Sequence, residues 1–121
     1  MTDVTSWLER YGAAWSAHDG AAAGALFAER AVYFFGPFDP VEGRAAIAER
    51  WDQATALQGE VSFDWDLLGT QDDRHIVNWR AVLQSGTPSA TELDGVFVLD
   101  FAADGRCTEL REWWASRPLG A

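Results

Sequence analysis

The apolar residues of this chain change their spacing halfway along it, and that change constrains the fold more than any motif. In the first half they recur at helical intervals. Val4, Trp7, Leu8, Tyr11 and Trp15 form an i, i+3, i+4, i+7 stripe, and Ile47, Trp51 and Ala54 share one face of a later segment. In the second half they alternate. Val61, Phe63, Trp65 and Leu67 interleave with Ser62, Asp64 and Asp66, the period of a half-buried strand.

The spacing predicts a first helix capped by Thr2 or Asp3 and broken at His18-Asp19-Gly20. Asp19 suits the cap of a short second helix through Leu26 and Phe27. Val32 to Phe35 reads as a strand, and Gly36 to Pro40 as a loop, because its two prolines exclude regular pairing. A third helix runs from about Gly43 to Leu57. Four strands follow: Val61 to Leu67, His75 to Leu83, Leu93 to Phe101 and Cys107 to Trp114. A polar turn from Gly69 to Arg74, a hairpin over Gln84 to Ala90 with Gly86 and Pro88, and Asp104-Gly105 join them. Three helices with one early strand, then an antiparallel meander, make an α+β fold. With no repeat or linker, residues 1–121 form a single domain. One sheet face takes the helices; the other is wet or binds a partner.

Charge and composition remove several functions. The net charge is −10, so nucleic acid and anionic membranes are poor partners. All 9 basic residues are Arg, which excludes a Schiff-base lysine and anchored pyridoxal phosphate. Two His and one Cys, far apart, make no metal-ligand cluster, and no glycine-rich phosphate loop is present. Neither a metal nor a nucleotide cofactor is expected. No apolar run is long enough to span a bilayer, and residues 1–20 lack a signal-peptide pattern. With Cys107 alone, this predicts a cytoplasmic protein beginning near Met1. Seven Trp and seven Phe either fill a small core or wall a cavity.

The stretches "RYGAAWSAHD" with "ALFAERAVYFF", "GPFDPVEGRAAIAERW", "LDGVFVLDFAADG" and "CTELREWW" give the chain a family likeness from Trp7 to Trp114. It resembles the nuclear-transport-factor-two-like superfamily, and within it the SnoaL-like proteins. The resemblance implies a cone: a bent antiparallel sheet whose concave face is covered by the three helices, often around a deep apolar cavity. The superfamily hosts ketosteroid isomerases, limonene-type epoxide hydrolases, polyketide cyclases and binding or assembly modules, so it implies a fold more than a function.

A cavity of this kind would be walled by Trp15, Phe35, Trp51, Trp65, Phe97 and Trp114, and would take a small, largely apolar molecule. Its candidate acid–base group is Glu112, which shares a strand face with Leu110 and Trp114. Burial there raises a carboxyl pKa towards the range of a general acid or base. The alternative is a solvated rim residue. The resemblance implies the same position, since the epoxide hydrolases carry an acid in an "RDY" pattern, here Arg111-Glu112-Trp113. It also turns Asn78 and Arg80 inward with Ile76 and Val82, where Arg80 could pair with Glu112 across about 9–10 Å, either to orient a ligand or as a structural ion pair. Tyr11 matches the tyrosine that donates to the isomerases' substrate oxygen; otherwise it is a core phenol. Trp51 falls where those enzymes carry a second tyrosine. Phe35 and Phe97 fall where they carry the general base and the second oxyanion acid, so steroid-isomerase chemistry is not expected. Asp94 could substitute only through a bulge. The histidines look peripheral, with His18 in a turn and His75 on the outward parity.

Two functions remain open. One is a cofactor-free acid–base enzyme, an isomerase, cyclase or hydrolase, with Glu112 helped by Arg80, Asn78 and Tyr11. The other, slightly favoured by the missing acids, is a binding protein without chemistry. Val77, Trp79, Val96, Val98 and Trp113 are expected on the outer sheet face, too apolar for water, which predicts a homodimer.

Overall fold

The computed structural model describes residues 3–84 and 90–119. The Thr2 cap and most of the Gln84–Ala90 hairpin loop, Gly86 and Pro88 included, lie outside the described residues. Helix α1 (Val4–Ala17) buries the predicted stripe of Val4, Trp7, Leu8, Tyr11 and Trp15, with Ala14 beside it. Its cap is Asp3, whose carboxylate accepts from the Thr5 and Ser6 amides. It ends on His18, left-handed at φ 53°, and Asp19 caps the short α2 (Gly20–Gly24).

The second helix is shorter than expected because the sheet claims its end. The Cys107 amide donates to the Leu26 carbonyl, and Phe27 already pairs with Cys107. Strand β1 therefore runs over Phe27–Phe34 rather than starting at Val32. A short β2 (Pro40–Glu42) pairs with it, and α3 (Arg44–Thr55) buries Ile47, Trp51 and Thr55. Strands β3 (Val61–Gln71), β4 (Arg74–Gln84), β5 (Ala90–Phe101) and β6 (Cys107–Leu119) complete one sheet in the order β2-β1-β6-β5-β4-β3. The meander is antiparallel as expected. The joint between β1 and β6 is parallel, so the sheet is mixed at that joint alone among the described residues. The helices pack on one face of this curved, unclosed sheet, giving the α+β cone.

Inner and outer faces are set by residue parity. On β4 the buried residues are Val77, Trp79, Ala81 and Leu83. Ile76, Asn78, Arg80 and Val82 point outward, which reverses the inward placement of that set and the outward placement of Val77 and Trp79. The reason is energetic. A one-residue slip exchanges the two faces of a strand. Burying Trp79 and Val77 gains apolar transfer energy, whereas burying Arg80 would strand a charge. His75 shares the inner parity, with its ring 5.4 Å from that of Phe101, and is half-buried rather than outward. On β5 the inner set is Gly95, Phe97, Leu99 and Phe101. On β6, Leu110 and Glu112 are buried, and Trp113 faces out.

Gly95 has a specific reason to lack a side chain. A Cβ there would stand 2.8 Å from both Trp79 Cε2 and Trp114 Cβ, and 2.6 Å from the Trp113 carbonyl oxygen. The Trp79 indole crosses the sheet over this gap and stacks on Phe97 at 5.2 Å between centroids. Its Nε1 is buried and has no hydrogen-bond partner among the described residues.

Candidate functional site

Between α1, α3 and the inner sheet face lies a cavity of about 320 Å³. Its inner end is formed by Tyr11, Tyr33, Trp51 and Glu112; Trp15, Phe35 and Trp79 contribute walls, and Arg50 and Trp114 stand towards solvent. Tyr11 arrives from the buried stripe of α1, Tyr33 from β1 and Glu112 from β6. The parallel β1–β6 pairing, with Tyr33 opposite Leu110, is what brings the last two together.

These side chains form one hydrogen-bonded chain. The Tyr33 hydroxyl donates to Glu112 Oε1 at 2.9 Å. With that proton committed, the 2.9 Å contact between the two phenols has Tyr11 as donor and Tyr33 as acceptor. Trp51 Nε1 donates to the Tyr11 hydroxyl at 3.4 Å. The chain is directional, from indole through two phenols to carboxyl. Among the described residues Glu112 Oε2 has no hydrogen bond, and Glu112 lines the cavity.

Glu112 is 8% exposed. Burial raises its pKa to about 8, only partly offset by the Tyr33 hydrogen bond. At neutral pH the group is therefore mostly an uncharged acid, able to donate a proton in a hydrogen bond. Burial also pushes both phenols up, with the Glu112 charge adding to it, so both stay protonated.

The sequence-derived residues separate into two groups. Tyr11, Trp15, Phe35, Trp51, Trp114 and Glu112 all line this cavity. Phe97 is fully buried in the aromatic packing beside Tyr11, 5.5 Å between ring centroids, and is not a lining residue. Trp65 borders a different, shallow hollow with Leu8, Gly12 and Phe63. Asn78 and Arg80 lie on the outer face and take no part. The Asn78 amide donates to Asp94 Oδ1 and the Gly95 carbonyl, a cross-strand tie. Arg80 stands in register between Asp64 and Asp94, so the Arg80–Glu112 pair does not form. Asp94 faces outward and replaces no inner acid.

Tyr33 is one lining residue that sequence reasoning missed. Its signal was the period-two parity with Phe35: the two rings stack at 3.8 Å on the inner side. Arg50 was missed too. Its guanidinium lies 5.0 Å from the Phe35 ring centroid and donates to Asp39 of the loop before β2. The Trp114 indole N–H donates to the Phe35 carbonyl, tying β6 to the same loop.

A broader groove of about 760 Å³ lies between α2 and α3, lined mainly by alanines with Glu29, Glu42, Arg44 and Arg106. It contains none of the buried hydrogen-bonded groups. Among the described residues no group of three His, Cys, Asp or Glu could hold a metal ion, and no helix is long and apolar enough to cross a membrane.

Comparison with known proteins agrees with this architecture. A family profile described as SnoaL-like domain matches residues 8–110. No curated protein sequence matches the chain. Among solved structures, a Mycobacterium tuberculosis protein superposes with a TM-score of 0.78 at 17% identity, covering 94% of each chain. A Δ5-3-ketosteroid isomerase from Mycobacterium sp. gives 0.79 at 16% identity, over 98% of this chain and 100% of the other. The epoxide hydrolase/cyclase-like enzyme SalBIII, of pyran ring formation in the polyether salinomycin, gives 0.75 at 23% identity over 95% of each. At such identities these likenesses are of fold. With the profile spanning most of the chain and the cone shared throughout, the protein belongs to the SnoaL-like family of the nuclear-transport-factor-two-like superfamily.

Proposed function

We propose that this protein binds one small, largely apolar molecule in the cavity between α1, α3 and the sheet, with a hydrogen-bonding oxygen of that molecule at Glu112. One observation carries the reading: a buried carboxyl on the cavity wall, with one oxygen held by Tyr33 and the other without a partner among the described residues. A wall needed only for packing would not retain an acid that costs free energy to bury. The test is titration with 2-naphthol, followed by tryptophan fluorescence. Saturable binding is expected, weakened in Ala54→Trp, which sets a bulky ring at the exposed α3 edge of the cavity. Absence of binding, or binding unchanged in Ala54→Trp, overturns the reading.

A second reading, acid–base catalysis, is favoured by the position of the Glu112 pKa near neutrality. The isomerase and the cyclase-like enzyme among the structural neighbours are consistent with it. In this reading the Glu112 carboxylate takes a proton from carbon beside a bound carbonyl, and the C–H electron pair moves into the enolate. Exchange of the α-hydrogens of 2-tetralone in D2O, followed by proton NMR and lost in Glu112→Gln, would support it. Exchange at the buffer rate leaves the binding reading alone.

The outer face supports a second copy as partner. Trp113 is 44% and Ile76 37% exposed, beside half-buried Val82, Val96 and Val98. Sedimentation should give a dimer at micromolar concentration and a monomer for Trp113→Arg; a wild-type monomer rejects it. The compartment proposed is the cytosol, where the single Cys107 would remain reduced.

A further inference from the structure

Arg50 is the one basic residue among the described residues that line the cavity. It comes from α3, and its position is fixed twice. The guanidinium lies over the Phe35 ring, and Nη2 donates to Asp39 Oδ2. A guanidinium presents five N–H donors in a planar fork, suited to a carboxylate. The Asp39 bond uses one, and no other is formed among the described residues. Asp39 is not itself a lining residue. Glu112 stands at the buried end, Arg50 at the solvent end, and rings lie between them.

We infer that the ligand is a small aromatic or alicyclic carboxylate, its carboxylate held by Arg50 at the mouth and its apolar body among Trp15, Phe35 and Trp51. This rests on the cavity-binding reading above and adds the chemical class. The local charge supports it. Ion-paired with Asp39, Arg50 keeps the cavity mouth close to neutral inside a chain of net charge −10, and its four unused N–H donors face a ligand carboxylate. Without such a cation, the overall field would repel an anion. Asp39 already orients the guanidinium, so the fork is preorganised, and a ligand carboxylate either shares it or displaces Asp39.

The experiment compares 6-hydroxy-2-naphthoic acid, its primary amide and 2-naphthol at pH 7, followed by tryptophan fluorescence. The acid should bind wild type about tenfold more tightly than the amide, the scale of one charge-assisted contact. In Arg50→Gln that ratio should fall to near one. In Asp39→Asn, which removes the competing carboxylate and keeps the loop side chain, it should rise. A wild-type ratio near one overturns the inference, as does a ratio that persists in Arg50→Gln. A fall in Asp39→Asn also overturns it, because Arg50 would then only be strapping the loop. In these cases 2-naphthol binding to wild type keeps the cavity reading standing. Failure of all three probes to bind overturns both.

Discussion

On the inner face of the sheet, Glu112 sits between Leu110 and Trp114; on the outer face, Asn78 and Arg80 sit between Ile76 and Val82. Both are polar residues interleaved with apolar ones along a strand, yet their surroundings give them different chemistry. The outer residues remain hydrated and pair across strands, Asn78 with Asp94 and, nearby, Arg74 with Asp100 through two hydrogen bonds. Such exposed pairs contribute little. The inner carboxyl is almost wholly buried, open only to the cavity, and its hydrogen bonds run through two phenols to Trp51. The strand period places a polar residue on a face; the packing above that face decides whether the residue becomes an unusual acid.

The largest expected effect is on pH-dependent stability. Glu112 has a folded-state pKa of about 8, above its ordinary 4.5. Between these values the folded state binds the extra proton. Its contribution is therefore most favourable below about 4.5 and is lost as pH rises, levelling off above about 8. Urea denaturation of wild type and Glu112→Gln across pH 5–9 should diverge by up to about 1.4 kcal/mol per pH unit, with Gln relatively more stable at the alkaline end. Parallel curves would make the inner face no different from the outer.

Next comes the gap under Trp79. Gly95→Ala should cost about 2–3 kcal/mol by overpacking, read from the same denaturation, because Trp79, Trp114 and the Trp113 backbone all crowd the new methyl. A neutral effect would mean that the inner rings yield easily. Tyr33→Phe should cost about 1–2 kcal/mol and move the Glu112 titration further up, since it removes the one hydrogen bond that lowers it. The smallest effect belongs to the outer face: Arg80→Ala should change stability by less than about 0.5 kcal/mol. A larger loss would show that the outer charges are coupled as the inner ones are.

How much of this was legible in the sequence depends on whether a strand has one apolar face or two. The fold was legible because helical and alternating spacing occupy separate halves of the chain. Glu112 was legible because Leu110 fixes the parity of β6. Strand β4 carries apolar residues on both faces, Ile76 and Val82 against Val77, Trp79 and Leu83. Period alone could not choose, and matching to the family chose the face with Arg80; the size of the Trp79 ring decides otherwise. Trp65 alternates correctly but lies on β3, at the far edge of the sheet, beyond the reach of the cavity. Tyr33 was hidden in an aromatic run that reads simply as strand. Its role depends on β1 pairing in parallel with β6, which brings it to Glu112, 79 residues away in sequence, and which no local pattern announces.

Central to the site is Glu112 as a buried, largely uncharged acid at the end of the tyrosine chain. Carbon-13 labelling of the glutamate carboxyls and NMR titration of the ligand-free protein, with Glu112→Gln to assign the resonance, measures that directly. A midpoint near 8 is predicted. A midpoint in the ordinary range, about 4.5, would mean a hydrated carboxylate and would contradict this reading of the site.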